Sequence, residues 1–263
     1  MFMKHLYKLI PLLILTPFIS GCNNTPVEYI GIVSAMDNEI ALLLDEMQLE
    51  KKETDGSIDY YIGKLRNKNV VITKSGIGKI RASLGVTTML NDYNIKEVYF
   101  SGIAGGLLDE EEVLDVVVAD SLVEHDYGRL TNDGFIWTGG DPGMGTDKGE
   151  IYYCNPELVE LAYKCAVEVM GESHVFKGTI ATGDQFIENE EYCANLVKQF
   201  DAYACEMEGA SVAVACDKYG IPAVVIRALS DKADGKAHES YADFGDKAAR
   251  NSSQIILKML ESK

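Results

Sequence analysis

The sequence predicts an α/β fold. The expectation is one domain built as a three-layer sandwich, a mixed, mostly parallel, twisted sheet flanked by helices. Three observations predict it. Short runs rich in β-branched residues alternate with amphipathic segments, the pattern of strands joined by helical crossovers. Two runs, Val113–Val123 and Pro222–Ala228, are apolar almost without a break, as strands covered on both faces tend to be. Polar or glycine-containing motifs follow the apolar runs, and ligands bind at strand ends in open α/β sheets.

The elements follow in order. Residues 1–21 combine a basic start (Lys4, His5, Lys8), an apolar run Leu9–Ile19 and the small residues Ser20-Gly21 before Cys22. The run is short for a membrane span, and the arrangement reads as a secretory leader. With its terminal Cys it resembles a bacterial lipoprotein signal. Cys22 would then carry the lipid and residues 22–26 would form a tether; an ordinary leader with a chance Cys and a buried N-terminal hairpin are the alternatives. Acyl chains on one residue would hold the chain on a bacterial membrane, facing periplasm or exterior.

The folded domain is expected over 27–263. Val27–Ser34 alternates as a strand does, and Met36–Gln48 is amphipathic. Asp59–Leu65 and Val70–Lys74 flank Arg66-Asn67-Lys68-Asn69 as a hairpin. Ser75-Gly76-Ile77-Gly78 turns into a helix reaching about Tyr93. Glu97–Ile103 is a strand running into Ala104-Gly105-Gly106. Residues 124–150, rich in Gly and Asp and holding the lone Trp137, read as a long functional loop. Pro156–Met170 is a helix with proline at its first position. His174–Ala181 is a strand, Glu190–Gln199 a helix, Met207–Tyr219 an apolar helix ending before Gly220, and Glu239–Leu260 a closing helix.

Composition excludes some functions. The formal net charge of −17 and the lack of a basic patch argue against nucleic acid as a partner. The four histidines form no ligand motif, so neither metal nor cofactor is expected. Without Cys22, five cysteines remain, an odd number with no Cys-x-x-Cys spacing. Unpaired thiols are unusual in an exported chain and suggest a cytosolic type of domain moved outside.

Four motifs begin where apolar runs stop. They are Ala35-Met36-Asp37-Asn38-Glu39, Ser101-Gly102-Ile103-Ala104-Gly105-Gly106, Thr182-Gly183-Asp184-Gln185-Phe186-Ile187 and Ser230-Asp231. Neighbouring parallel strands would bring all four to one rim. Singly, Glu39 reads as a solvated helix residue and Asp231 as a cap. Glu206 reads as a cap or pairing residue at the helix start, and Arg227 as a plain ion-pair residue. Together, an Asp, an Arg and several carboxylates at one rim point to acid–base chemistry on a polar small molecule.

The ordered set GIVSAMDNEI (31–40), KSGIGK (74–79), SGIAGGL (101–107), GDQFI (183–187), CEMEGA (205–210) and RALSD (227–231) resembles the purine nucleoside phosphorylase superfamily. Within it the chain is most similar to the methylthioadenosine/S-adenosylhomocysteine nucleosidases. The resemblance implies a nucleoside phosphorylase-like fold, a homodimer and hydrolysis of 5′-substituted adenosines or a related purine nucleoside. It implies Glu39 as the base that activates water and Asp231 as the acid that protonates the purine N-7, oriented by Ser230. Glu208 would bind ribose hydroxyls and Met207 would pack beneath the sugar. Phe186 would stack on the base, the Ile187 backbone would read its edge, and Arg227 would sit near the attacking water and the ribose.

Two departures bear on the substrate. Ile103 stands where these nucleosidases often carry a small hydroxyl residue. The loop His125–Gly149 looks longer than usual, and Tyr127, Phe135 and Trp137 are candidates to line the pocket for the 5′ group. A phosphorylase is the main alternative, but the first motif is acidic and lacks the arginines that hold phosphate. A nucleoside-binding lipoprotein without turnover is the other, and it is expected to lack Glu39 or Asp231.

Overall fold

A computed structural model describes residues 26–139 and 150–263. The predicted leader, Cys22 and most of the tether lie outside the described residues, as do 140–149 of the long loop.

β1 (Tyr29–Ser34) is buried beyond its first residue and leads into α1 (Asp37–Glu46). β2 (Gln48–Asp55), β3 (Ile58–Leu65) and β4 (Lys68–Lys74) form an antiparallel meander. Arg66 and Asn67 turn the predicted hairpin with φ of 48° and 60°, matching the twist of the flanking strands. β2 was not expected. Its sequence QLEKKETD is exposed at a sheet edge, so it shows no apolar alternation, and its charges discourage pairing with another chain.

α2 (Lys79–Asp92) starts after Gly78, whose φ is 96°. β5 (Ile95–Gly106) is longer than predicted, because Ala104-Gly105-Gly106 continues the strand instead of turning. The two glycines make room for packing. A Cβ on Gly105 would lie 2.8 Å from Asp231 Oδ1, and one on Gly106 2.8 Å from Leu229 Cδ1.

β6 (Val116–Glu124) precedes a small separate hairpin, β7 (Gly128–Thr131) and β8 (Gly134–Trp137), inside the segment predicted as loop. β9 (Tyr152–Tyr153) pairs with β6. α3 (Pro156–Met170) is capped by Asn155, which accepts from the Glu157 and Leu158 amides. Then follow β10 (Val175–Thr182), α4 (Glu190–Phe200), β11 (Ala202–Glu206), α5 (Gly209–Tyr219), β12 (Ala223–Asp231) and α6 (Ala237–Glu261).

The main sheet is mixed and flanked by helices, as predicted. Its order is β11-β10-β6-β12-β5-β1-β4-β3-β2. It differs from the expected mostly parallel, open twisted sheet in two respects. Antiparallel pairings (β2–β3, β3–β4, β6–β9, β6–β12, β5–β11) are as common in it as parallel ones. The last of these closes the sheet: β11 also pairs antiparallel with β5, Ala204 with Gly106 and Cys205 with Gly105. Strands β11, β10, β6, β12 and β5 therefore close into a five-strand barrel. β12 runs parallel to β5 and antiparallel to β6, so the strand ends do not meet as simple parallel neighbours. α6 packs on β5 and β12 beside α1 and α3, while α2 packs on α5.

Candidate active site

The barrel closure puts the motifs on one cleft. Its wall includes Ala35, Met36 and Glu39, then Ile103 to Gly105, Gln185 to Ile187, Cys205 to Glu208, and Ser230 with Asp231. All four predicted strand-end motifs reach it, although their strands are not all parallel.

Glu39 sits in the first turn of α1 and is 2% exposed. Its Oε2 accepts from the Ala35 and Met36 amides, both at 2.8 Å, and its Oε1 from the Ile103 amide at 3.0 Å. Burial raises its pKa, while the Arg227 guanidinium and these three amides oppose the rise. A carboxylate so held is oriented for proton acceptance.

Asp231 ends β12 and is 2% exposed. Ser230 Oγ donates to its Oδ2 at 2.7 Å and the Ala233 amide to its Oδ1 at 2.8 Å. Ala233 has φ of 50°, a conformation that costs a non-glycine residue some strain and aims its amide back. Burial raises the Asp231 pKa against those two hydrogen bonds. A carboxyl that keeps its proton longer is suited to donate it.

Glu206, read from sequence as a cap or ion-pair residue, is a hub. It accepts from the Glu208 amide at 3.0 Å, from Gly209 at 2.8 and 3.0 Å, and from the Thr182 hydroxyl. It also takes Arg227 Nη2 at 2.5 Å. Helix α5 starts at Gly209, not at the predicted Met207. The reason is that Glu206 remains in β11 and its carboxylate takes the free amides of the helix start. Glu208 accepts from the Gly78 amide at 2.8 Å and lies 3.6 Å from Arg227 Nη2. Burial and the Glu206 charge push its pKa up to about 8 despite Arg227.

Arg227 is not on the cleft wall. It is 1% exposed, stacked over Phe100 at 4.1 Å, behind the carboxylates. Although burial opposes its charge, Glu206, Glu208 and Glu39 hold it protonated. It serves the site by binding the carboxylates, not by reaching into the cleft. Gly102 gives it space: a Cβ there would lie 2.3 Å from Arg227 Nη1 and 2.8 Å from Glu39 Oε1.

Phe186 is half exposed at the cleft, with its ring edge-on to Tyr241 at 6.1 Å. Ile187 is buried and Met207 half-buried on the same wall. Sequence reading missed Ile77, His238 and Tyr241, which also line it. The last two lie on the first turns of the long α6 and form no motif, so only packing reveals them. Ile103 lines the cleft beside Glu39. The loop aromatics do not. Trp137 packs on Phe200 at 4.8 Å and donates to the Glu124 carbonyl, and Phe135 is exposed on β8. Their place is decided by the β7–β8 hairpin. Among the described residues there is no cluster of metal-ligating side chains.

Fold and site together define an α/β enzyme with paired carboxyl groups facing one small-molecule cleft. A family model described as the phosphorylase superfamily matches residues 29–261, and the chain belongs to that superfamily. Its similarity is to nucleosidases. The aminodeoxyfutalosine nucleosidase of Helicobacter pylori is 35% identical over 241 residues, 89% of this chain and 99% of the relative. The 5′-methylthioadenosine/S-adenosylhomocysteine nucleosidase of Hydrogenovibrio crunogenus is 36% identical over 232 residues, 88% of this chain and 97% of the relative. The crystal structure of such a nucleosidase from Neisseria meningitidis, in complex with methylthio-immucillin-A, matches with a TM-score of 0.81 at 32% identity. It covers 90% of this chain and all of that one.

Proposed function

We propose that the chain hydrolyses the N-glycosidic bond of 5′-substituted adenosines, releasing adenine and the 5′-substituted ribose. The observation that carries this is the placement of two buried carboxyl groups, Glu39 and Asp231, on one cleft, each fixed by backbone amides. Glu39 takes a proton from water, whose oxygen bonds to the anomeric carbon. The carbon–nitrogen bond breaks and its electrons pass to the purine, which Asp231 protonates at N-7. Positive charge on the ribose is favoured by the carboxylates around it. Glu208 binds the ribose hydroxyls, Met207 packs beneath the sugar, Phe186 stacks on the base and the Ile187 backbone reads its edge. Ser230 keeps Asp231 in position.

Water is favoured over phosphate as the nucleophile. The described cleft wall holds no Lys or Arg, and Arg227 is committed to Glu206 and Glu208. With carboxylates outnumbering the Arg227 guanidinium around Glu39, an added anion would meet net repulsion.

The reading extends to assembly and placement. Ile77, Ile80 and Leu84 lie on one face of α2 and its entry and are 46%, 72% and 57% exposed, an apolar stripe suited to a second copy. The stripe supports the homodimer that the family resemblance implies. A lipid on Cys22 would hold the enzyme on the outer side of a bacterial membrane.

The experiment offers methylthioadenosine, S-adenosylhomocysteine, aminodeoxyfutalosine, adenosine and inosine to the purified chain, with and without phosphate. Release of adenine from the adenosine derivatives without phosphate is expected. Release only with phosphate makes it a phosphorylase, and binding without release makes it a receptor. Asp231→Asn and Glu39→Gln should each lower kcat by about 10²–10⁴-fold. Near-full activity in Asp231→Asn sinks the acid assignment.

A further inference from the structure

We propose that Lys79 is a positioning residue for substrate binding. Through a ring of hydrogen bonds with Asp126 and Asp184, it fixes the loop that carries Phe186 against the helix start that holds Glu208. Its effect on substrate rests on the nucleosidase reading, in which Phe186 meets the base and Glu208 the ribose. All three ring residues lie off the described cleft wall, so they reach substrate only through others.

The first amides of a helix have no partner inside it, and α2 begins at Gly78 without a side chain to cap it. Two carboxylates from distant segments take those amides. Glu208 Oε1 accepts from the Gly78 amide and Asp184 Oδ1 from the Lys79 amide, both at 2.8 Å. Negative groups are favoured at that end of a helix. The Lys79 side chain then turns to the end of β6 and the connection to β7. Its ammonium lies 2.6 Å from Asp126 Oδ1 and 3.3 Å from Glu124 Oε1. Asp126 Oδ2 in turn accepts from the Asp184 amide at 2.8 Å. Three hydrogen bonds among three residues close on themselves and join α2, the β6–β7 connection and the loop after β10. The side chains of Lys79 and Asp126 are each 16% exposed. Burial opposes the charge on Lys79, but Asp126 and Glu124 hold its proton.

Two glycines let the loop come this close. A Cβ on Gly78 would lie 3.0 Å from Asp184 Oδ1, and one on Gly183 2.3 Å from His125 Nε2 and 3.1 Å from Asp126 Cγ. The Gly183 amide donates to the Glu206 carbonyl at 3.0 Å. The ring holds Asp184 next, and two residues on Phe186 reaches the cleft. Loops are the more mobile parts of a fold, and displacing a substrate-positioning group by about 1 Å is costly. Removing the ammonium leaves Asp126, Glu124 and Asp184 together without their counter-charge, and the loop loses its tie to α2. Glu39 and Asp231 are fixed by other amides, so the chemistry should persist while binding weakens.

The test compares the full chain with its variants in steady-state kinetics on methylthioadenosine and in calorimetric binding of adenine. Lys79→Met keeps the length of the side chain without the charge. It should raise KM about tenfold and weaken adenine binding by a similar factor, while kcat stays within about threefold. Lys79→Arg should recover most of the loss. Asp184 is exposed, so its variants break the ring without disturbing the core. Asp184→Ala should reproduce the rise in KM, whereas Asp184→Asn, which keeps an acceptor oxygen, should stay within about twofold of the parent. Because one ring carries both effects, Lys79→Met and Asp184→Ala combined should cost no more than the larger single change. A fall in kcat at unchanged KM overturns the proposal, since lost folding or lost chemistry would do that. An unchanged KM in Asp184→Ala overturns it too. If the parent chain releases no adenine from any adenosine derivative, the nucleosidase reading fails, and adenine binding, read without turnover, still decides on the ring.

Discussion

Glu208 shows how one residue takes its chemistry from its setting. On an open helix it would titrate near 4.5; buried against Glu206 it is pushed up to about 8. The folded chain therefore keeps a proton that the unfolded chain releases between those values. The stability this contributes is full below the ordinary value and is lost as pH rises through the folded one. The melting temperature should fall between about pH 5 and 8, and Glu208→Gln, which stays neutral, should flatten the fall. Thermal unfolding across that range checks it; equal slopes in the two proteins refute it. Arg227 illustrates the same dependence. Sequence order placed it near Asp231, but only burial shows that it binds carboxylates from behind.

At the scale of elements, β5 does the most to build the site. Its Ile103 amide holds Glu39, Gly102 leaves space for Arg227, and Gly105 packs on Asp231. Gly102→Ala would place a carbon 2.3 Å from Arg227 Nη1. Since the guanidinium is buried and bonded, it has little room to yield. The expected result is a loss of about 1–3 kcal/mol of stability with a sharp fall in kcat. Denaturant unfolding and steady-state kinetics read the two effects, and an unchanged variant would contradict the packing. The elements that sequence reading missed share one physical cause. β2 is an exposed polar edge, β11 is five residues of mostly small side chains, and the β7–β8 hairpin is largely exposed. None carries the apolar periodicity by which strands are recognised.

For the whole molecule, the exposed stripe on α2 lies next to the cleft, because Ile77 belongs to both. Ile80→Glu places a charge where a second copy would pack. It should turn a dimer into a monomer in sedimentation while leaving the far-ultraviolet circular dichroism unchanged. A monomeric parent chain would remove the dimer reading. The barrel is the other whole-molecule fact. The motifs met on one cleft as expected, but the pairing of β11 with β5, not a row of parallel strands, brings Glu206 and Glu208 to Arg227 and Glu39.

The sequence by itself determined the α/β class, the helices, most core strands and the motifs that reach the cleft. Apolar periodicity and motif order are local properties, so a linear reading recovers them. Closure of the barrel, the hub role of Glu206, the recessed position of Arg227 and the contributions of Tyr241 and His238 were decided only in the folded chain. Each depends on which groups lose water together, and burial and pairing across distant segments are set by packing, not by neighbours in the chain.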